Sequence, residues 1–320
     1  MLNRLLRYGL AACLISAVAG YGVAYADHHE EGEEEEGEGE GMGGEEEMGG
    51  EGEMGGEGEM GGEAGGDMAA GSGAMPGLTL GAGKISVDAY LEINLTSDNV
   101  FKPFSIAPDV WYGVNDKLTV GLVHSGANRT GFVAGGFAAV GNGICPAGED
   151  NGCAKVYNNA GVNGIFSLSD DGKMALAANG GLYANTIDPF ALALKLGVDW
   201  RYLMGKIMIS ANPNLFIGLT ERDGAAVGGV VIGGNKEQLN IPVLAMFMAS
   251  PKLGVGVQTG LTAPLDGFGD AFLIPLSFGA HLMLNESMGV GGAFSFPLAL
   301  GSDISTFDAR VLTVWFNWRN

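Results

Sequence analysis

Several groups of residues in this chain carry side chains with chemistry to offer. His124 and Ser125 stand together in GLVHSGAN, a base beside a hydroxyl, as nucleophilic hydrolysis requires. Neighbours in a strand point to opposite faces, so this pair meets only across a bulge. No carboxylate close in sequence stands ready to orient His124. His281 has Gly279 and Met283 at its same-face positions, and no serine. Cys145 and Cys153 bracket the turn-rich PAGEDNG, which suits a disulfide closing a small loop. The alternative, a metal held by the two thiols, lacks a suitably spaced histidine. His28 and His29, set among glutamates, could hold a divalent transition metal, and Met42, Met48, Met54 and Met60 could offer thioethers to Cu(I). The last group is a sparse set of charges: Asp88, Glu92 and Asp109 in one part of the chain, Lys195, Asp199 and Arg201 in another.

Other signatures are missing. GGFAAVGNG and GAAVGGVVIGG are rich in glycine, but no Lys-Ser/Thr follows them and no strand–helix context exists for phosphate. Basic residues form no patch interleaved with aromatics, so nucleic acid is not an expected partner. No cofactor is expected.

Charge and hydropathy divide the chain. From Asp27 to Asp67 there are 18 acidic residues and no Lys or Arg, so most of the net charge of -21 sits in one stretch. The low isoelectric point belongs to that stretch, which repeats Glu-Gly-Glu-Met-Gly-Gly from Glu51 to Gly62. Gly and Glu cannot bury enough apolar surface to offset chain entropy, so residues 27–78 read as a disordered acidic segment. It serves as a spacer or brush that collects cations loosely. Ahead of it, Arg4 and Arg7, an apolar run from Gly9 to Val23, and Ala24-Tyr25-Ala26 make residues 1–26 a secretory signal peptide. A lipoprotein reading at Leu10-Ala11-Ala12-Cys13 leaves almost no apolar core before the cysteine.

The elements that must position the remaining charges are strands. In ISVDAYLEINL, Ile85, Val87, Ala89, Leu91, Ile93 and Leu95 share one face, while Ser86, Asp88, Tyr90, Glu92 and Asn94 share the other. The same period of two recurs from Leu192 to Tyr202, from Phe272 to Leu284, and in VLTVWFNW near the end. Short turns at residues 115–117, 169–173, 204–206, 250–252 and 285–287 alternate with longer loops at 96–102, 126–159, 185–190, 221–237, 263–270 and 301–306. Eleven connections join twelve strands, with short turns on one rim and long loops on the other. Inward positions such as Gly121, Gly197, Gly254, Gly289 and Gly291 are small, which leaves the volume a water-filled lumen needs.

Over residues 79–320 the sequence resembles bacterial outer-membrane β-barrel proteins of the porin-like kind. The signal peptide, the alternation, the turn–loop asymmetry and a final Phe316-Asn317-Trp318 carry the resemblance, although Arg319 and Asn320 follow the aromatic on which such strands usually end. The resemblance implies an all-β fold: a transmembrane, antiparallel, up-and-down barrel set in outer-membrane lipid, with both termini and the acidic tail on the periplasmic side. It implies a passive channel for small solutes or ions, in which the six inward charges set a preference. A non-conducting surface or structural barrel is the alternative function, an outer-membrane enzyme a weaker one, and a soluble β-sandwich the alternative fold.

Overall fold

The computed structural model describes residues 77–95, 104–125, 142–148, 153, 155–223, 225–227, 230–232, 235–266, 268, 272–301 and 307–320. The signal segment, the acidic stretch, His28, His29 and the four tail methionines lie outside the described residues.

The chain forms β1 (Ile85–Asn94), β2 (Phe104–Asn115), β3 (Leu118–Val123), β4 (Ala160–Asp170) and β5 (Met174–Ile187). It continues through β6 (Phe190–Met204), β7 (Ile207–Ala211), β8 (Asn214–Gly218), β9 (Ala225–Val227) and β10 (Val230–Ile232). The last five are β11 (Gln238–Met248), β12 (Leu253–Pro264), β13 (Leu273–Met283), β14 (Met288–Gly301) and β15 (Val311–Arg319). All but β9 and β10 join one antiparallel sheet of thirteen strands. β1 pairs with β15, placing Ala89 opposite Phe316, and β5 pairs with β6, so the sheet closes on itself. β7 and β8 lie end to end against β6, separated at Asn212 and Pro213; proline has no N–H to give to a ladder. They make one stave of the wall, which is a closed barrel of twelve staves.

The alternation in the sequence is the alternation of the wall. Ser86, Asp88, Tyr90 and Glu92 are buried inside, with Ala107, Asp109 and Trp111 beside them on β2. Outward positions carry large apolar side chains that remain exposed, among them Val110, Leu122, Val162, Phe166, Leu182, Leu196, Phe278 and Phe316. A soluble sandwich would bury such residues against a second sheet; this wall presents them to its surroundings, as a barrel meeting hydrocarbon does.

All five short turns fall where the sequence places them, and β1 begins and β15 ends on their rim. Residues 185–190 differ from expectation. β5 runs to Ile187 and β6 starts at Phe190, because Thr186 and Ile187 continue the ladder opposite Ala191 and Phe190. β-branched and aromatic residues there extend the hairpin. The connection from β8 to β11 holds its own hairpin, β9 paired with β10.

β3 is short, and its column is completed by another part of the chain. Ile144 exchanges both backbone hydrogen bonds with Ile106 of β2, at 2.7 and 2.9 Å, while Asn158 N–H donates to Gly143 O at 2.8 Å. Cys145, joined to Cys153 in a disulfide with Cα atoms 6.0 Å apart, sits at the end of this patch.

The interior corrects the expectation of open volume. Gly121 underlies the Trp111 ring, Gly161 the Tyr183 ring and Gly291 the Trp315 ring, and a Cβ at any of the three would collide with the aromatic above. The glycines make room for large neighbours on the next strand. Leu78, Leu80, Trp111, Val123, Ile165, Tyr183 and Phe216 form one apolar cluster; Tyr90, Met208, Leu244, Met246 and Trp315 form another.

The two faces predict different responses to charge. Leu196, mid-strand, outward and 48% exposed, should tolerate arginine poorly in a bilayer. Leu196→Arg is expected to cost about 2–4 kcal/mol in reversible unfolding from lipid vesicles, whereas the same change in a water-facing wall would be nearly neutral.

Candidate functional site

β1 and β2 bring three carboxylates together. Asp88 and Asp109 are directly opposite in register, and Glu92 faces Ser105. Each acid has donors. Asn317 Nδ2–H donates to Asp88 at 2.7 Å. Glu92 accepts from Asn142 Nδ2 at 3.3 Å and from Ser105 Oγ at 3.4 Å. Asp109 accepts from the backbone N–H groups of His124 at 2.7 Å and Ser125 at 3.1 Å, and from the Ser125 hydroxyl. The chain leaves the ladder after Val123, and this carboxylate collects the N–H groups that the ladder would otherwise have used.

Asp109 also revises the reading of His124 and Ser125. A carboxylate does stand beside them, brought from β2 by the β2–β3 hairpin. It meets the serine hydroxyl and the backbone, whereas the imidazole turns to Pro108 O through Nδ1 and to Tyr157 Oη at 3.0 Å through Nε2. In a hydrolytic triad the imidazole stands between carboxylate and hydroxyl; here those bonds run elsewhere.

Across the lumen, β6 contributes Lys195 and Asp199, both fully buried. The Lys195 ammonium lies 5.4 Å from the Tyr183 ring centre and 5.7 Å from that of Phe216, which pack edge to face. A desolvated cation over such a ring gains about 2 kcal/mol. Asp199 and Asp109 lie within electrostatic reach of the same ammonium, so the two walls interact through it. Arg201 departs from the expected grouping: its guanidinium reaches Asp170, 3.8 Å away beside the β4–β5 turn.

A feature that the sequence reading missed runs around the wall toward Asp199. Thr262 Oγ1–H donates to Asn240 Oδ1 at 2.8 Å, and Asn240 Nδ2–H to Asn214 Oδ1 at 3.5 Å. Asn214 Nδ2–H donates to Asn212 Oδ1 at 2.9 Å, and Asn212 donates to the Asp199 carboxylate. Every donor points the same way, toward the anion, which aligns their dipoles with its charge. The signal was available as inward Asn and Thr on three consecutive staves, but their joining depends on register.

No family model matches this sequence, and no curated protein matches it. Among solved structures, the chain is similar to a KdgM porin in complex with disordered oligogalacturonate: 5% identity, TM-score 0.46, covering 73% of this chain and 98% of that one. It is also similar to the COG4313 outer membrane channel from Pseudomonas putida F1, at 12% identity and TM-score 0.42, covering 76% and 97%. The Acinetobacter baumannii outer membrane protein Omp33 gives 12% identity and TM-score 0.41, covering 74% and 98%. At these values nothing about ligand or activity passes from one chain to another.

Outside the wall, two ion pairs brace the connections around β9 and β10. Arg222 grips Glu237 with two hydrogen bonds of 2.7 and 2.9 Å, and Lys236 donates to Asp266 at 2.8 Å. The hydrogen bonds from Arg222 hold the Glu237 carboxyl below the usual range, and the one from Lys236 does the same for Asp266.

Two outcomes follow from these contacts. Asn212→Ala removes the donor at the end of the amide chain from a buried carboxylate. It should lower unfolding stability by about 1–3 kcal/mol, more than Thr262→Ala at the far end. The loop pairs set a pH response. A carboxylate held below its ordinary range stabilises the fold above that range, and the contribution fades as pH falls through the depressed value. Hydrogen exchange at Asn235, whose N–H bonds to Glu221 O, should lose protection below about pH 4 while the wall strands keep theirs.

Proposed function

We propose that this chain is an integral outer-membrane channel that passes small solutes or ions with a preference for cations. The observation that carries the reading is the inward band itself. Four carboxylates, Asp88, Glu92, Asp109 and Asp199, face one lysine inside a wall whose outer surface is apolar. A cluster of one dominant sign inside a low-dielectric wall favours ions of the other sign. Buried polar atoms support a wet interior: Trp111 Nε1, both amide atoms of Asn179, Gln258 Oε1 and Ser295 Oγ have no protein partner among the described residues. Buried polar groups need partners, and water in a lumen supplies them. Gln258, Ser277 and Ser295 stand side by side on β12, β13 and β14, giving a small polar solute a continuous hydrogen-bonding row.

One observation favours the second reading, a closed structural barrel. The charged band is sealed, with Glu92 and Asp109 only 2% exposed, and apolar clusters lie alongside it. The acidic stretch Asp27–Met68 belongs to the channel reading as a cation-collecting brush joined through the chain to β1. His28 and His29 fit that brush as weak ligands for divalent ions.

Recordings in planar bilayers separate the readings. The refolded chain should conduct with cation preference. Asp88→Asn should weaken that preference, and Lys195→Met should strengthen it. Removing residues 27–68 should shift the reversal potential at about 10 mM salt, where screening extends roughly 30 Å, and leave it unchanged at 1 M, where it extends about 3 Å. Silence in every variant would establish the structural barrel.

A further inference from the structure

The residues just before β1 enter the lumen. Gly81 to Lys84 form a turn at the short-turn rim, closed by Lys84 N–H to Gly81 O at 3.1 Å, with Gly83 at φ 72°. Ahead of that turn the chain bends inward, and Leu78 (2% exposed) and Leu80 are buried. They pack with Trp111, Ile165, Ala175 and Ala177, all inward residues of β2, β4 and β5. The bay fits this segment closely: a Cβ at Gly113 would strike Gly81 O and crowd Leu80. Small residues at 113, 175 and 177 thus leave space that the leucines fill.

The way the strap is held differs from the way the wall is held. Leu80 N–H donates to Thr119 Oγ1 at 2.7 Å, Thr79 Oγ1–H to Asp116 O at 3.1 Å, and Ala82 N–H to Asp116 Oδ1 at 3.1 Å. These bonds run through side chains at one hairpin, and residues 77–82 belong to no strand. The segment can therefore leave its bay without opening any ladder of the barrel. Its departure would expose the two leucines and the Trp111, Ile165, Ala175 and Ala177 surface they cover, whereas loss of a wall strand would break the closure.

We propose that residues Gly77–Ala82 are an intraluminal plug, anchored by Leu78 and Leu80, that closes the lumen at its short-turn mouth and must withdraw before anything passes. The proposal rests on the channel reading for its consequence, but the occlusion can be tested without conduction. The probe is a single thiol at Ala177→Cys, placed beneath the leucines in a Cys145→Ser, Cys153→Ser background and refolded into vesicles. With the native strap, a charged, membrane-impermeant maleimide should react slowly. With Leu78→Ser and Leu80→Ser it should react about tenfold faster or more, as expected when two buried leucine anchors are lost from a local opening equilibrium. Equal rates in two barrels that both show heat-modifiable migration would overturn the plug, whether or not either conducts.

A locked variant covers the case in which the double serine chain does not fold. Leu80→Cys with Thr119→Cys, in the same background, joins positions already in contact and leaves the wall sequence otherwise intact. Oxidation should abolish any current that the reduced form carries, and reductant should restore it. Unchanged current in the oxidised, cross-linked form would also overturn the plug. Silence of the reduced form together with fast Ala177→Cys labelling in the serine variant would uphold the plug and remove the channel reading.

Discussion

The constraint on which this structure depends is that a wall in lipid must satisfy its own backbone. No water reaches the hydrocarbon to bond a free N–H or C=O, so a sheet that crosses it must have no edge. The seam between β1 and β15 meets that demand, running in register from Ser86 opposite Arg319 to Asn94 opposite Val311. An even number of staves then follows for an all-antiparallel ring, and both ends of the ring fall on one rim. The same demand explains the patch at Ile144. β3 stops six residues after it starts, which would leave the upper part of β2 unpaired. Ile144 returns to bond Ile106 and covers part of that edge.

Closure leaves the interior as the place where sequence is free to vary, and this chain spends that freedom on size matching and polar pairing. Trp111, Tyr183 and Trp315 each lie over a glycine on a neighbouring strand, so interior volume is divided between staves and not along them. Trp315 also donates to His281 Nδ1 at 3.0 Å, with the two rings nearly parallel. Large side chains placed this way stiffen the wall and narrow the lumen together. The polar residues obey the ordinary rule that buried groups find partners. Asp109 takes the N–H groups released where β3 ends, and Asp199 takes the last donor of a chain that begins three staves away.

Much of the wall is legible in sequence because a strand of period two writes its two faces into alternate letters. Ile85 to Asn94 and Leu192 to Tyr202 show their facing without any coordinates, and the short turns are marked by Asn, Asp, Gly and Ser. The count of twelve follows from those marks. What the letters do not carry is which residue stands opposite which. An inward glycine reads as empty space until the register places Trp111 over Gly121. Asp109 is unconnected to Ser125 until the hairpin folds, and Asn212, Asn214, Asn240 and Thr262 are scattered polar residues until their strands align. Leu78 and Leu80 were hidden for another reason: they follow a long acidic stretch, and two leucines have no periodicity to announce.

The two kinds of interior contact differ in what it takes to undo them. The amide chain ending at Asp199 is built from side chains on the strands and on the short break between β7 and β8, so loosening it exposes a buried carboxylate without opening a ladder. The leucine strap hangs from one turn and can move as a unit while every ladder stays closed. A barrel whose lumen were sealed only by the first kind would be a rigid, permanently filled cylinder. One sealed in addition by the second kind contains a part that can move while the wall remains stable. The carboxylates give the distinction its chemical direction. Among the described residues four buried acids face one buried lysine, and in the proposed channel that balance in a wall of low dielectric would disfavour an anion relative to a cation. On the proposed channel reading, the charges would set what is admitted and the apolar anchors at the mouth would set when.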